Sequence, residues 1–260
     1  MGTKAIDPQA IRNVTIVGDP DETAQVVHRL LGRTSSGPQA VIHWSTSGIE
    51  HTIRLTELSS HTPAADLERS IRVADGVIAV VNAAAHSTPR LETTLRVADD
   101  HQVARLCLLT GLDQPHADFD RCIRTIAATR GAVPLTLQIP LGIGAAFEGT
   151  IDLAPMWTLE PMAAEFYGAH WEVAVQWYHT LAKTIMDQST ADPDPSLALR
   201  KISLDRLHRR IRRLTRIGDV VLILCSAAPS SDDITPLLDA IVRYLPSPLD
   251  VCQPEHALDY

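Results

Sequence analysis

Three short, almost unbroken apolar runs constrain this chain most: Gly76–Val81, Arg105–Leu109 and Val220–Cys225. A strand with one wet face alternates apolar and polar residues. These runs do not alternate, which is the pattern of parallel strands covered on both faces. The first two are separated by a segment of helical period, Leu91–Asp100, with Leu67–Val73 before them and Asp118–Ala128 after. Parallel neighbours cannot be joined by a tight turn, so each such segment serves as a crossover. The start of the chain fits the same scheme. An apolar run at Val14–Val17 ends in Gly18, a helical stretch Glu22–Leu31 follows, and Gly32–Pro38 is rich in turn formers. Ala40–Ser45 and Thr52–Glu57 then read as a hairpin around Ser47–Gly48. The expected fold class is α/β: a mostly parallel sheet flanked by helices.

The alternation pauses between Val133 and Arg200. Here two strand-like segments, Leu135–Pro140 and Thr150–Leu159, precede a helix around Trp171–Met186 and a loop at Ala191–Ser196. It resumes with a helix over Ser203–Arg216, Ser203 being the expected N-cap, then Val220–Cys225 and a closing helix Ile234–Tyr244. The expected organisation is a sheet domain begun by residues 1–132, an α+β insert over 133–200, and completion of the sheet domain by 201–260.

Several function classes are disfavoured at this point. A net charge of −8 argues against general coating of nucleic acid. No apolar run approaches the roughly 18 residues of a membrane span, and MGTKAIDPQAIRN lacks the apolar core of a secretion signal. A cytoplasmic protein without membrane association is expected. The cysteines at 107, 122, 225 and 252 have no metal-ligand spacing, and the two inside apolar runs read as reduced, buried thiols. His43 and His51 are expected at neighbouring strands with Glu50 near, but zinc would need ligands the sequence does not supply. No metal site, no nucleophile elbow and no catalytic residue is expected. Trp157, Trp171 and Trp177 read as packing residues.

Taken in order, several stretches resemble the GTPase domain of translation elongation factor G, with its insert. They are IRNVTIVG at 11–18, ERSIRVADGVIAVVNA at 68–83, HADFDR at 116–121, VPLTLQIPLGIGAAFEGTIDLAPM at 133–156 and LLDAIVRYLPSPLDV at 237–251. The resemblance is collinear over roughly residues 11–251. It implies a P-loop-GTPase-like sheet with the α+β insert before the last strand. In the family further domains follow, whereas about ten residues follow here.

The nucleotide motifs implied by that resemblance are poorly matched. A P-loop needs glycines for backbone N–H donors, a lysine for the phosphates and a hydroxyl for Mg²⁺. Gly18 and Asp21 match, but Thr23, Ala24 and Gln25 replace the second glycine, the lysine and the hydroxyl. Pro20 has no N–H, and Asp19, Asp21 and Glu22 add negative charge. Only Arg33–Gln39 fills the place of the first switch. Thr56-Glu57-Leu58-Ser59-Ser60 stands where the family carries D-T-P-G-H. For the guanine-reading N-K-x-D the chain has Thr110-Gly111-Leu112-Asp113, keeping Asp113 alone, and Ser226-Ala227 preserves the last motif. The expectation is a pseudo-GTPase with no bound cofactor, and with vestigial positions at Gly18, Asp21, Asp113, Ser226 and Ala227. With no phosphate to approach, Gly18→Ala is expected to be nearly neutral unless Gly18 is left-handed.

One charged feature stands out. RKISLDRLHRRIRRLTR at 200–216 sets eight basic residues against one acidic, with Leu204, Leu207, Ile211 and Leu214 at helical spacing. Arg206, Arg209, Arg210, Arg212, Arg213 and Arg216 form the candidate surface for an acidic protein or for RNA, the ribosome included. Two alternatives remain. One is an enzyme reusing the cleft with Asp19, Asp21, Glu57 and Asp113 as acid or base. The other is residual guanine nucleotide binding through Asp113 and Ser226.

Overall fold

Why the apolar runs do not alternate is plain from their packing. In a computed structural model they form the middle of a seven-stranded sheet. The structure describes residues 7–32, 40–46, 48–155, 165, 167, 168, 170–188, 203–226 and 233–250. Strands β1 (Ile11–Gly18), β2 (Ala40–Thr46), β3 (Ile49–Ser59), β4 (Gly76–Asn82), β5 (Ala104–Thr110), β6 (Pro134–Thr136) and β9 (Val221–Cys225) take the order β2-β3-β1-β4-β5-β9-β6. All neighbours are parallel except β2 and β3, the expected hairpin.

Every residue of β5 and β9 is buried, as is all of β4 except Asn82. On one face Val17 and Val77 pack with Leu67 and Ile71 of α2 (Ala64–Arg72) and with Val97 and Ala98 of α3 (Leu91–Asp100). The larger core joins the sheet to α1 (Pro20–Leu31), α4 (Phe119–Ala127), α5 (His170–Gln188), α6 (Leu204–Arg216) and α7 (Thr235–Tyr244). Ser203 does occupy the N-cap position of α6, but its side chain makes no capping hydrogen bond. Trp171 and Trp177 lie against the core, the latter edge-on to Phe119 at 5.4 Å. Trp157, Ala227, Cys252 and the segment Arg33–Gln39 lie outside the described residues.

One predicted strand is two. Leu135–Pro140 is divided at Leu137: Pro134–Thr136 joins the main sheet beside β9, while β7 (Gln138–Leu141) pairs antiparallel with β8 (Gly149–Asp152). The chain turns from one sheet to the other around a backbone shared by both. Leu137 N–H donates to Ile223 O, and Leu153 N–H donates to Leu137 O. An unbroken apolar stretch carries no mark of such a transfer. His43 and His51 also part company, because His43 pairs with Thr52 and His51 with Trp44, placing the two imidazoles on opposite faces. Among the described residues no three His, Cys, Asp or Glu side chains could hold a metal.

A buried acid at the start of β4 gives a pH-dependent term. Asp75 is fully buried; Asn13 donates to its Oδ2 from both backbone and side chain, while Oδ1 is left without a partner. Burial pushes its pKa up to about 6, against the pull of those hydrogen bonds and of Arg12. An acid whose folded pKa is raised destabilises the fold once ionised. Its contribution is therefore fully favourable below the unfolded value of about 4 and declines as pH rises to about 6, by up to ~3 kcal/mol. Asp75→Asn is expected to remove this slope. Chemical denaturation of both proteins between pH 4 and pH 7 measures it, and parallel curves would refute the assignment.

Candidate functional site

The carboxyl ends of parallel strands, where ligands bind in open α/β sheets, bring together Gly18, Asn82, Gly111–Asp113 and Ser226. Asp19 alone links β1 to α1, and this tight connection determines the local chemistry. Its side chain accepts a hydrogen bond from Asp21 N–H at 3.1 Å, and its carbonyl accepts one from Thr23 N–H at 2.9 Å. The positive end of α1 is thus capped by the chain's own carboxylate, with Asp21 and Glu22 also in the first turn. Thr23 is buried, its hydroxyl donating to the carbonyls of Asp19 and Pro20. Ala24 and Gln25 fall on the exposed face of the helix.

Glu22 reaches across the cleft. Its Oε1 accepts from Asn82 Nδ2 at 2.6 Å, while Asn82 Oδ1 accepts from Ala84 N–H at 2.8 Å. Gly111 permits this arrangement: it is left-handed, and a Cβ there would lie 2.4 Å from Asn82 Oδ1. Asn82 is a site residue that sequence reading missed, since an asparagine ending an apolar run signals only a turn. Glu57 is exposed near the end of β3, and Asp113 is half-buried in the turn after β5. Of the acid–base set Asp19, Asp21, Glu57 and Asp113, Asp21 and Glu57 are exposed and Asp113 is half-buried. Asp19 is committed to capping, Asp21 is exposed, and the described residues contain no convergent group of acids fit for a metal.

Asp113 and Ser226 do follow neighbouring strands, since Leu109 is in register with Cys225. Ser226 N–H donates to Leu109 O, and Arg29 Nη1 on α1 donates to Ser226 Oγ at 3.3 Å. The adjacent hollow, lined by Arg29, Glu148, Thr150, Ser226 and Asp233 among others, has a volume of about 170 Å³. That is below the roughly 300 Å³ at which small-molecule pockets begin.

Gly18 corrects an expectation. It is not left-handed, yet a Cβ there would stand 2.9 Å from Val80 Cβ and 3.0 Å from Val80 O. The close approach of β1 and β4 requires the glycine. Gly18→Ala is expected to lower stability by about 1–3 kcal/mol, the range for overpacking a close-packed core. Urea unfolding decides it, and a midpoint equal to wild type would mean that the strands separate freely here.

The basic helix α6 divides its arginines. Leu207, Ile211 and Leu214 are buried and Leu204 is half-buried, as the spacing predicts. Arg206, Arg209, Arg213 and Arg216 are exposed. Arg212 is not free: it donates to Asp250 Oδ2 at 3.0 Å and to the carbonyls of Val242 and Arg243. Arg216 also lies 3.6 Å from Asp250, and Arg210 is half-buried with a buried Nη1 lacking a partner. The candidate surface contracts to Arg206, Arg209, Arg213 and Arg216, since Arg212 fastens α6 to the end of α7.

Sheet order, the antiparallel β2–β3 edge and the site at the strand ends define a P-loop-GTPase-like α/β fold. The family is equally plain. Residues 64–247 match the elongation factor Tu GTP binding domain, and the chain belongs to that family. It is similar to elongation factor G of Fervidobacterium nodosum, with 35% identity over 214 residues. That alignment covers 78% of this chain and 30% of the relative, so the chain spans about a third of the relative's length. A crystal structure from Thermus thermophilus has the same fold, with a TM-score of 0.71 over 93% of this chain and 41% of its own, at 18% identity. Among the described residues no helix is long and apolar enough to cross a membrane.

Proposed function

We propose that this chain is a non-catalytic pseudo-GTPase that serves as a docking or regulatory module for a protein partner or the ribosome. The observation that carries the reading is the carboxylate of Asp19 on the N-terminus of α1. A triphosphate needs N–H donors, a cation and a magnesium ligand in that place. Here Asp19 already accepts from the N–H groups of Asp21 and Thr23, Ala24 stands in the lysine position, and Glu22 is bonded to Asn82. These groups do not fit a Mg²⁺–GTP complex. The insert is proposed to span 133–200, between sheet segments 1–132 and 201–260. Its separate layer begins at Gln138, because β6 belongs to the main sheet.

What recommends a docking role is the exposed stripe Arg206, Arg209, Arg213 and Arg216 on a helix whose opposite face is anchored in the core. Association should be independent of GTP. Co-sedimentation with ribosomes of the native host, with and without GTP and Mg²⁺, tests this. Equal recovery in both is expected; recovery only with GTP would overturn the reading.

A further inference from the structure

A second cleft lies at the opposite end of the sheet, where β1 and β3 begin. It has a volume of about 490 Å³ and is lined by Arg12, His51, His208, Arg209, Arg212 and Arg243, with Asp7 and Asp250 as its acids. This size falls within the roughly 300–1,000 Å³ of small-molecule sites. Ala10, Ile49 and Val242 add an apolar wall.

The electrostatics of this cleft are unbalanced. Arg12 is 1% exposed, and its guanidinium donates to the carbonyls of Gln9, Ile11 and Val242. Among the described residues no carboxylate pairs with it, and its Nε has no hydrogen-bond partner. His51 is 8% exposed with Nδ1 likewise unpartnered. Asp250 is shared between Arg212 and Arg216 and is also bonded by Ser247, while Arg243 lies 3.7 Å from Asp239. Arg12 feels Asp250 and Asp75 only at a distance, and neither Arg12 nor Arg209 has a carboxylate within ion-pair distance among the described residues. Burial, then the nearby Arg212, draws the Arg12 pKa down to about 10 against the pull of Asp250 and Asp75, and burial followed by Arg12 and Arg212 lowers that of His51. A buried cation without a paired anion is unfavourable, and an entering anion would relieve it.

We infer that this cleft is a binding site for a small phosphomonoester, a ligand class unrelated to the strand-end site; of the docking stripe only Arg209 also lines it. A phosphate dianion suits the two guanidiniums without an ion pair, Arg12 and Arg209, and Arg243 lines the same cleft. The apolar wall and the imidazoles of His51 and His208 would contact the ligand's body.

The test uses the full chain in 0.15 M NaCl, titrated calorimetrically with ribose 5-phosphate, inorganic phosphate and unphosphorylated ribose. One saturable site for ribose 5-phosphate is expected. Inorganic phosphate is expected to bind at least tenfold more weakly, and ribose not at all. Arg209→Ala and Arg243→Ala should each weaken ribose 5-phosphate at least tenfold. Arg213→Ala, on the same helix but outside the cleft, should leave it unchanged. The His51 imidazole resonance should shift on saturation in the wild type. No saturable binding, or equal losses in Arg209→Ala and Arg213→Ala, would overturn the proposal. Loss of ribosome association in Arg213→Ala with intact ribose 5-phosphate binding would separate the two surfaces.

Discussion

Val80→Asp is expected to leave no folded protein at room temperature. Val80 is 3% exposed in β4, a strand hydrogen-bonded on both sides and covered on both faces. It is in register with Leu108 of β5, and its Cβ and carbonyl are the atoms nearest the Cβ position of Gly18. An unpaired carboxylate here has no donor to meet and no route to solvent. The penalty is about 3–5 kcal/mol, comparable with the whole stability of a domain at the lower end of the roughly 5–15 kcal/mol range. Val80→Ala removes two methyl groups and leaves a small void, for a loss of about 2 kcal/mol. The pair separates charge burial from lost packing. Circular dichroism and a thermal melt should show a lowered but cooperative transition for Val80→Ala and none for Val80→Asp. A cooperative melt for the aspartate would mean that β4 is not the covered centre of the sheet.

Reversing charge on the exposed stripe should abolish association with the partner. Arg206, Arg209 and Arg213 are exposed and one or two turns apart on α6, and none of them provides the Asp250 contact that fastens the helix. The triple change to glutamate therefore spares Arg210, which is half-buried, and Arg212. It alters local charge by six units without touching the buried leucines. Attraction between exposed charges fades beyond about 8–10 Å at physiological ionic strength. Wild-type recovery should accordingly fall between about 50 and 300 mM salt, and the triple variant should be lost from the ribosomal pellet at both. An RNA partner would give the steeper log–log dependence that counterion release produces. Salt-insensitive recovery of the triple variant would make this face ordinary solvated surface.

The sequence displays the central strands because burial on both faces leaves a signal that no surface strand gives. α1, α3 and α4 are legible for a related reason, since each keeps one apolar side. The first three residues of β1 are harder to read, because Arg12 and Asn13 look like a loop until Val242 and Asp75 supply their partners from far along the chain. The same limit applies to the site. Missing P-loop residue types can be read from Thr23, Ala24 and Gln25, but the capping by Asp19 and the Glu22–Asn82 bond depend on how closely α1 follows β1. Gly18 looks in the sequence like a relic of phosphate approach, whereas its close neighbour is Val80. Arg212 shares its spacing with its exposed neighbours, and only the position of Asp250 distinguishes it.

Titration of the full chain with a non-hydrolysable GTP analogue in the presence of Mg²⁺ tests the central claim most directly. Asp19 on the N-terminus of α1, alanine in the lysine position and an exposed Gln25 predict no saturable heat at ligand concentrations up to about 100 micromolar. Micromolar or tighter binding with one site per chain would contradict the account, because a triphosphate would then be held despite the carboxylate that caps this helix.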